Sequence, residues 1–291
     1  MKLIEAIENA EKKGIAMGHF NIGNLEQLKA IAHVGVRLNI PIIIGVSEGE
    51  RAYLGVHHVV DFIKSYNDEH SRDGGFRLFL NADHTHSLDK VREAAEAGFD
   101  AILFDGGKLS LEENIAQAKE AVKIVKNIDP SIIVEGELGY IGSSSEILEK
   151  LPEGAAIKPE DLTTVEEAKK FVDATGVDML APAVGNIHGM FANAPNPRLD
   201  IMRVKEIKDA VKIPLVLHGG SGTADEDFTA AINAGISIVH ISTELRYIWR
   251  KELEIALREH PIEIAPYKVM PEVIKAIEEV VEKRLKLFSK I

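Results

Sequence analysis

The chain has 291 residues, of which 45% are hydrophobic and 27% charged, as is typical of a soluble globular protein with a sizeable core. Its formal net charge of -12 argues against nucleic acid or an anionic membrane as a partner. The absence of cysteine excludes disulfides, thiolate metal ligands and cysteine nucleophiles. Any metal ion must therefore be bound by His, Asp or Glu.

The first residues, MKLIEAIENAEKKG, have the pattern of a charged amphipathic helix rather than of a signal peptide. No apolar stretch approaches the length of a membrane span. We therefore expect a cytoplasmic protein.

Eight short apolar runs follow, and they alternate with amphipathic segments. The runs are continuously apolar, which is typical of parallel strands buried on both faces. They cover residues 15–21, 41–47, 77–82, 100–104, 131–136, 177–183, 213–217 and 236–242. Apolar residues recur at helical spacing in segments 25–38, 88–97, 111–126, 165–174, 200–210 and 226–234.

Eight strand–helix units favour an α/β fold, a (β/α)8 TIM barrel, because closing the sheet removes its exposed edges. An open doubly wound sheet is the alternative. No Pro/Gly/Ser-rich linker divides the chain, so we expect one domain over residues 1–291. The last stretch, 271–291, is predicted to be a helix that packs on the barrel or on a second subunit.

Polar residues follow the apolar runs, where the active sites of such barrels lie. Histidines from neighbouring strands can fill three zinc positions and leave the fourth for water or substrate, although each histidine alone has a structural alternative. The candidate ligands are His84, His188 and His218. Asp105 and Glu137 are candidates for a second metal position, with hydrogen bonding at the barrel rim as the alternative.

Asp83 stands beside the candidate ligand His84, which suits a carboxylate that exchanges a proton with a substrate hydroxyl. The alternative is a simple strand-ending turn. Two further turns offer N–H groups and hydroxyls to a phosphate: residues 219–222 after the seventh run, and Ser242 with Thr243 at the start of a helix. Ordinary turn and N-cap chemistry is the alternative there. Loop 139–159 is long and rich in small residues, as lids often are, or is a plain surface excursion.

Several motifs together carry a family resemblance. They are FNIGNLEQLKAI with PIIIGVSEGE, DH after the third run, DGGKLSLEENI, EGELGYIG, GNIHGMF, PLVLHGGSG and STELR, in that order along nearly the whole chain. In these motifs the chain resembles the class II, metal-dependent fructose-bisphosphate aldolase family, in particular its tagatose-bisphosphate-aldolase-like branch.

The resemblance implies a role for each matching position. His84, His188 and His218 become zinc ligands with Glu137 near a second metal position, and Asp83 becomes the acid/base. The resemblance implies that the phosphate of a dihydroxyacetone phosphate moiety is bound by Gly189, Gly219, Ser221, Ser242 and Thr243. It implies that the rest of the sugar is bound by Asn21 and Ser47. A monovalent cation near the phosphate is a further expectation.

The implied activity is reversible aldol cleavage of a ketose 1-phosphate in carbohydrate metabolism, such as glycolysis. Zinc polarises the ketose carbonyl in this chemistry, so no lysine Schiff base is required. The resemblance also implies a homodimer or homotetramer.

Four positions depart from the family pattern. His240 replaces an Asn that contacts the dihydroxyacetone portion, Tyr267 replaces an Arg offered by a neighbouring subunit, and Ala192 replaces a Lys. The lid segment 142–146 lacks its usual carboxylate, for which Glu146, one position later, is the candidate substitute. His240 is a candidate acid/base, extra ligand or hydrogen-bonding substitute. These changes favour an aldehyde half different from that of fructose 1,6-bisphosphate.

Two other classes of function stay open at this point. The missing lid carboxylate and Asn suit a sugar-phosphate-binding homologue that has lost turnover. The pair His84 and His86 suits a metal-dependent hydrolase, although such barrels usually carry this pair after the first strand rather than the third.

Overall fold

The strands of the protein close into a barrel. The computed structural model describes residues 1–70, 75–142 and 145–291. The strands are β1 (Met17–Asn21), β2 (Ile42–Val46), β3 (Leu78–Thr85), β4 (Ala101–Phe104), β5 (Ile133–Leu138), β6 (Ile147–Leu148), β7 (Met179–Pro182), β8 (Met190–Phe191), β9 (Leu215–Leu217) and β10 (Ile236–Ile241). Eight of them form a closed parallel barrel in the order β1-β10-β9-β7-β5-β4-β3-β2, which confirms the predicted TIM barrel.

Helices surround this barrel. They are α1 (Leu3–Lys12), α2 (Leu25–Leu38), α3 (Glu48–Leu54), α4 (Val56–His70), α5 (Leu88–Ala97), α6 (Leu111–Ile128), α7 (Val165–Thr175), α8 (Ile201–Val211), α9 (Asp225–Ala234), α10 (Thr243–Glu259) and α11 (Pro266–Ser289). The six predicted amphipathic helices are present with ends shifted by at most two residues. Helices α3 and α4 were not predicted.

Local capping sets where the helices begin and end. Ser110 starts α6 and Thr164 starts α7, each with a glutamate three residues on that returns a hydrogen bond. Gly98 and Gly176 end α5 and α7 in the left-handed conformation that glycine adopts without strain. The connections from α5 to β4 and from α7 to β7 are therefore short.

The core has two layers. The larger layer lies between the strands and the outer helices. The smaller one fills the barrel, where inward residues such as Met17, Phe79 and Ile133 pack with Leu3 and Ile7 of α1. Helix α1 therefore closes the N-terminal end of the barrel, and the opposite end stays available for a site.

The C-terminal helix differs from its prediction. The expected start was residue 271, but α11 begins at Pro266 and contains Pro271. Proline suits the first helical position, and Pro271 removes only one backbone hydrogen bond near the beginning of the helix. The apolar face of α11, including Val273, Ile277 and Phe288, is buried within the chain.

Two details complete the architecture. Strands β6 and β8 form a small parallel sheet outside the barrel, which joins the segment after β5 to the segment after β7. Among the described residues, no helix is both long and apolar enough to span a membrane.

Candidate active site

A cavity of about 280 Å³ opens at the C-terminal end of the barrel. Nearly all the residues singled out in the sequence line it. They are Asn21, Ser47, Asp83, His84, His86, Asp105, His188, Gly189, His218, Gly219, Ser221, His240, Ser242 and Thr243. The ends of separate strands thus supply one polar cavity.

Three imidazole rings converge in this cavity. His84 is on β3, His188 follows β7, and His218 comes directly after β9. The centroid of the His84 ring lies 4.8 Å from that of His188 and 5.0 Å from that of His218, and the other two are 6.0 Å apart. One ligand atom from each of these histidines and from Glu137 lies within 4.8 Å of all the others.

The atoms left without partners suit a divalent metal. Among the described residues, no hydrogen-bond partner is present for the buried atoms His188 Nε2, His218 Nδ1 and Glu137 Oε2. The other nitrogen of His218, Nε2, lies 2.8 Å from Glu135 Oε1. Such a carboxylate orients a ligating imidazole and leaves its second nitrogen for the metal. The donor set of nitrogens and one carboxylate oxygen therefore fits zinc or a similar ion.

The charges of the cluster are strongly coupled. Burial favours neutral His84, but Asp83 and the hydrogen bond from His84 Nδ1 to Asp105, 2.8 Å long, outweigh burial and raise the pKa of His84 to about 10. Burial and the Asp105 charge raise the pKa of Glu137 to about 8. Burial and the neighbouring imidazoles lower the pKa of His188 well below its ordinary value. In the absence of metal, the groups His84 and Glu137 of this cluster therefore hold protons.

Asp83 is held as a charged carboxylate. Burial alone would raise its pKa, but His84, His19, His218 and a hydrogen bond from Asn21 lower it below the ordinary aspartate value. Asn21 Nδ2 donates to Asp83 Oδ2 at 2.8 Å. Asp83 Oδ1 has no hydrogen-bond partner among the described residues and lies 3.9 Å from His84 Nε2. This oxygen is free to accept a proton from a ligand.

The turn at residues 219–222 meets Ser242 and Thr243 at the start of α10. Ser221 Oγ accepts hydrogen bonds from the N–H groups of Ser242 and Glu244, at 3.3 and 3.2 Å. Gly219 has φ of +60°, and a Cβ there would collide with the carbonyl oxygen of Ile187. Within the described part of the chain, Ser242 Oγ lacks a hydrogen-bond partner. A helix N-terminus, an unpaired hydroxyl and a side-chain-free turn together suit an anion.

The family model for class II fructose-bisphosphate aldolase matches residues 1–291. The chain therefore belongs to the class II fructose-bisphosphate aldolase family. This aldolase is a carbon–carbon lyase of a family that is generally metal-dependent and acts on phosphorylated sugars. The resemblance inferred from the motifs is confirmed.

Solved structures agree with this assignment. The aldolase is 28% identical to the YdjI aldolase of Escherichia coli K12, with a TM-score of 0.79, and the match covers 99% of this chain and 97% of YdjI. A candidate fructose-1,6-bisphosphate aldolase from Coccidioides immitis is 26% identical with a TM-score of 0.80, over 99% of this chain and 96% of that one. The fructose-bisphosphate aldolase of Campylobacter jejuni, 18% identical over 99% and 94% of the chains, shares the fold with a TM-score of 0.78.

Several sequence candidates of the aldolase are exposed or lie outside the described residues. Glu146 is exposed, and its main-chain oxygen accepts a hydrogen bond from the Met190 N–H. The lid residues Ser143 and Ser144 are outside the described residues. The side chain of His86 is 60% exposed, although its ring nitrogen is 3.7 Å from Asp105 Oδ2. Tyr267 is 76% exposed on α11.

The structure also places residues in the site that sequence reasoning did not assign to it. His19 is buried in the middle of β1, where an apolar run gives no functional signal. Asn196 donates to the carbonyl oxygens of both Gly189 and Ser221 and so joins the segment after β7 to the turn after β9. The only sequence feature that marks Asn196 is its place as a polar residue within a Pro-rich loop. Glu135 differs from these two, because its place at the end of an apolar run already predicts a position at the barrel mouth, and the structure adds its hydrogen bond with His218.

Proposed function

We propose that this aldolase uses zinc to cleave a phosphorylated ketose reversibly into dihydroxyacetone phosphate and an aldehyde. One observation carries the proposal: imidazoles from three strands converge beside a charged aspartate, and two of them present buried nitrogens that lack a partner. A catalytic zinc site needs three protein ligands and an open position.

His84, His188 and His218 would hold the metal, with Glu137 available for a second or displaced position. Asp105 holds Nδ1 of His84 and leaves Nε2 as the ligating atom. When bound, the metal supplies a positive charge that withdraws electron density from the ketose carbonyl. The residues fit this role because nitrogen and carboxylate donors surround one point.

Asp83 would take the proton from the ketose hydroxyl during cleavage and return it during condensation. Asp83 lines the cavity, Asn21 fixes its Oδ2, and its Oδ1 has no hydrogen-bond partner among the described residues. A carboxylate that is ionised at neutral pH can accept the proton as the bond to the aldehyde breaks. His240 lies 3.6 Å from the same oxygen through Nδ1 and would bind the neighbouring hydroxyl or share the proton.

The phosphate would occupy the turns at Gly189, Gly219 and Ser221 and the start of α10 at Ser242 and Thr243. The helix N-terminus and the unpaired Ser242 hydroxyl support this placement. Asn21 and Ser47, which also line the cavity, would contact the rest of the sugar. A monovalent cation would lie near the phosphate.

The proposed roles of other parts follow from the same site. Glu146 would handle the proton on the adjacent carbon, which requires its segment to approach the cavity. We further propose a cytoplasmic homodimer or homotetramer that works in carbohydrate metabolism, with an aldehyde partner other than glyceraldehyde 3-phosphate. Sedimentation of the purified protein tests the assembly.

The deciding experiment offers the purified protein dihydroxyacetone phosphate with a panel of phosphorylated and free aldehydes. We expect a ketose product that disappears after chelation and returns with added zinc. A product insensitive to chelation would contradict the metal mechanism. Tight binding of dihydroxyacetone phosphate with no product from any aldehyde would instead favour a binding protein. His84→Ala should abolish metal binding in the same assay.

A further inference from the structure

The end of β3 departs from regular strand geometry. Successive side chains of a strand point to opposite faces of the sheet. Asp83 and His84 are consecutive, yet both line the cavity. The backbone makes this possible because His84 has φ of +44°, and because the register of β3 against β4 shifts between Ala82 and Thr85.

This backbone conformation is unfavourable for a residue other than glycine. In the left-handed region the Cβ atom lies too close to the following carbonyl oxygen. A histidine persists there only where the surroundings hold it. The contacts around His84 therefore decide whether two consecutive side chains reach one site.

Arg51 of α3 supplies such contacts. Its side chain is buried, with 2% of the residue exposed. Nη1 donates to the carbonyl oxygens of Val46 at 2.7 Å and of Asp83 at 3.1 Å, and Nη2 donates to Thr85 Oγ1 at 3.0 Å. One planar guanidinium thus binds the residue before His84 and the residue after it, and joins both to the end of β2.

The environment of Arg51 does not resemble an ordinary ion pair. Among the described residues, no carboxylate oxygen lies within 4.0 Å of its guanidinium, although such pairs are found for several other arginines. A buried cation without a direct counterion is costly. Two of its three hydrogen bonds go instead to the main chain and hydroxyl that flank His84, and the third joins them to the end of β2.

We propose that Arg51 is a positioning residue that holds the main chain on both sides of His84 in the left-handed turn, so that Asp83 and His84 enter the cavity together. The proposal rests on the proposed function in taking Asp83 as the acid/base and His84 as a metal ligand. It assigns Arg51 no contact with substrate or metal. The effects of replacing Arg51 must therefore appear through Asp83 and His84.

Three variants test it. Arg51→Met keeps an unbranched side chain of similar length but has no donors, and Arg51→Lys keeps the charge without the planar fork. Thr85→Val removes the hydroxyl that accepts from Arg51 and also donates to the Ala82 carbonyl oxygen at 3.3 Å. The matched control is Arg203→Met, because Arg203 Nη1 donates to the Thr163 carbonyl at 2.8 Å on the outer helix layer. Metal affinity is measured by calorimetry, ligand geometry by the absorption spectrum of the cobalt-substituted protein, and kcat and KM by aldol cleavage.

We expect Arg51→Met to weaken metal binding about tenfold, as loss of a group that orients a ligand does. We expect kcat to fall about 100-fold, because small displacements of reacting groups have effects of that size. KM should change much less, the cobalt spectrum should shift, and Arg51→Lys should recover part of kcat. Arg203→Met should leave all of these unchanged.

A folded Arg51→Met protein with wild-type metal affinity, cobalt spectrum and kcat would overturn the proposal. If this variant does not fold, Thr85→Val decides: a partial loss of kcat with a shifted cobalt spectrum supports the proposal, and wild-type values overturn it. Failure of the proposed function would look different. Wild-type protein would then bind metal with the same dependence on Arg51 but produce no ketose from any aldehyde.

Discussion

The imidazole rings of His19 and His240 stack face to face, with parallel planes and centroids 3.4 Å apart. The two residues are register partners on the adjacent strands β1 and β10. Burial lowers the pKa of His19 to about 4, and burial together with His19 lowers that of His240 well below its ordinary value. Both rings are therefore neutral near pH 7, and they stack without repulsion.

The stack fixes the side chain of His240, which lies beside His218 and Asp83. On its other side the His240 ring centroid is 3.9 Å from that of His218, and its Nδ1 is 3.6 Å from Asp83 Oδ1. Gly45 on β2 makes room beneath, since a Cβ there would collide with the His19 ring. His19 thus acts as a support that holds His240 at the floor of the cavity.

Replacing His19 with Ala should loosen that support. We expect a loss of unfolding free energy of about 2–4 kcal/mol from the buried void, and a fall in kcat because His240 is no longer held in one orientation. Chemical denaturation and turnover measure the two effects. His57→Ala, at an exposed histidine on α4, is the control and should change neither. A destabilised His19→Ala with wild-type kcat would show that the stack serves stability alone.

Replacing Asp83 with Asn should separate metal binding from chemistry. The amide has nearly the same shape, and the proposed metal ligands His84, His188 and His218 remain. We expect metal content to stay the same and kcat to fall about 10²–10⁴-fold, the usual contribution of an acid/base group. Elemental analysis and the rate of cleavage provide the two readouts, with exposed Asp61→Asn on α4 as the control. Unchanged cleavage would remove Asp83 from its proposed role.

Metal uptake should become more favourable as the pH rises. Without metal, Asp83 and Asp105 raise the pKa of His84 to about 10 against the effect of burial, and burial with Asp105 raises the pKa of Glu137 to about 8. Both groups therefore carry protons at pH 7, and a metal must displace them to bind.

Calorimetry in buffers of different ionisation enthalpy measures this displacement. We expect release of about one to two protons per metal at pH 7, because ligands bind in their deprotonated forms. Affinity should increase from pH 6 to pH 9. Glu137→Gln, which leaves the three histidines in place, should release about one proton fewer at pH 7 by the same linkage. A metal affinity that is constant over this range would contradict the assigned ligands.

The barrel was predictable because its strands are continuous apolar runs, and because polar residues end them. The same reasoning located Asp83, His84 and His218, which lie where strands end. The apolar pattern predicted that the third strand ends at residue 82, whereas β3 continues through Thr85. The extension depends on the pairing of β3 with its neighbours and on the hydrogen bonds from Arg51, and neither is visible in a hydrophobic pattern.

His19 shows a second limit of the sequence. It lies inside the first apolar run, and its direction into the barrel follows from the register of β1 against β10 and from the absence of a side chain at Gly45. A single polar residue in a strand gives no indication of a partner more than two hundred residues away. Helices α3 and α4 were missed for simpler reasons, since α3 has only seven residues and His and Asp residues interrupt the apolar spacing of α4.

Replacing Ser221 with Ala should weaken binding of the phosphate specifically. The Ser221 hydroxyl accepts hydrogen bonds from two N–H groups at the start of α10, so its loss releases the N-terminal turn that faces the cavity. We expect KM for a phosphorylated ketose to rise about tenfold, the effect of losing about 1.4 kcal/mol of binding. Metal content should be unchanged, and kcat should fall much less.

The matched control is Ser110→Ala, which removes the N-cap of α6 away from the cavity. Each variant should lose about 0.5–2 kcal/mol of stability, the usual effect of removing an N-cap side chain. Only Ser221→Ala should raise KM, and only for the phosphorylated substrate, because the unphosphorylated ketose has no group to place at the α10 N-terminus. An equal rise in KM for both substrates would mean that Ser221 shapes the cavity generally and that the phosphate binds elsewhere.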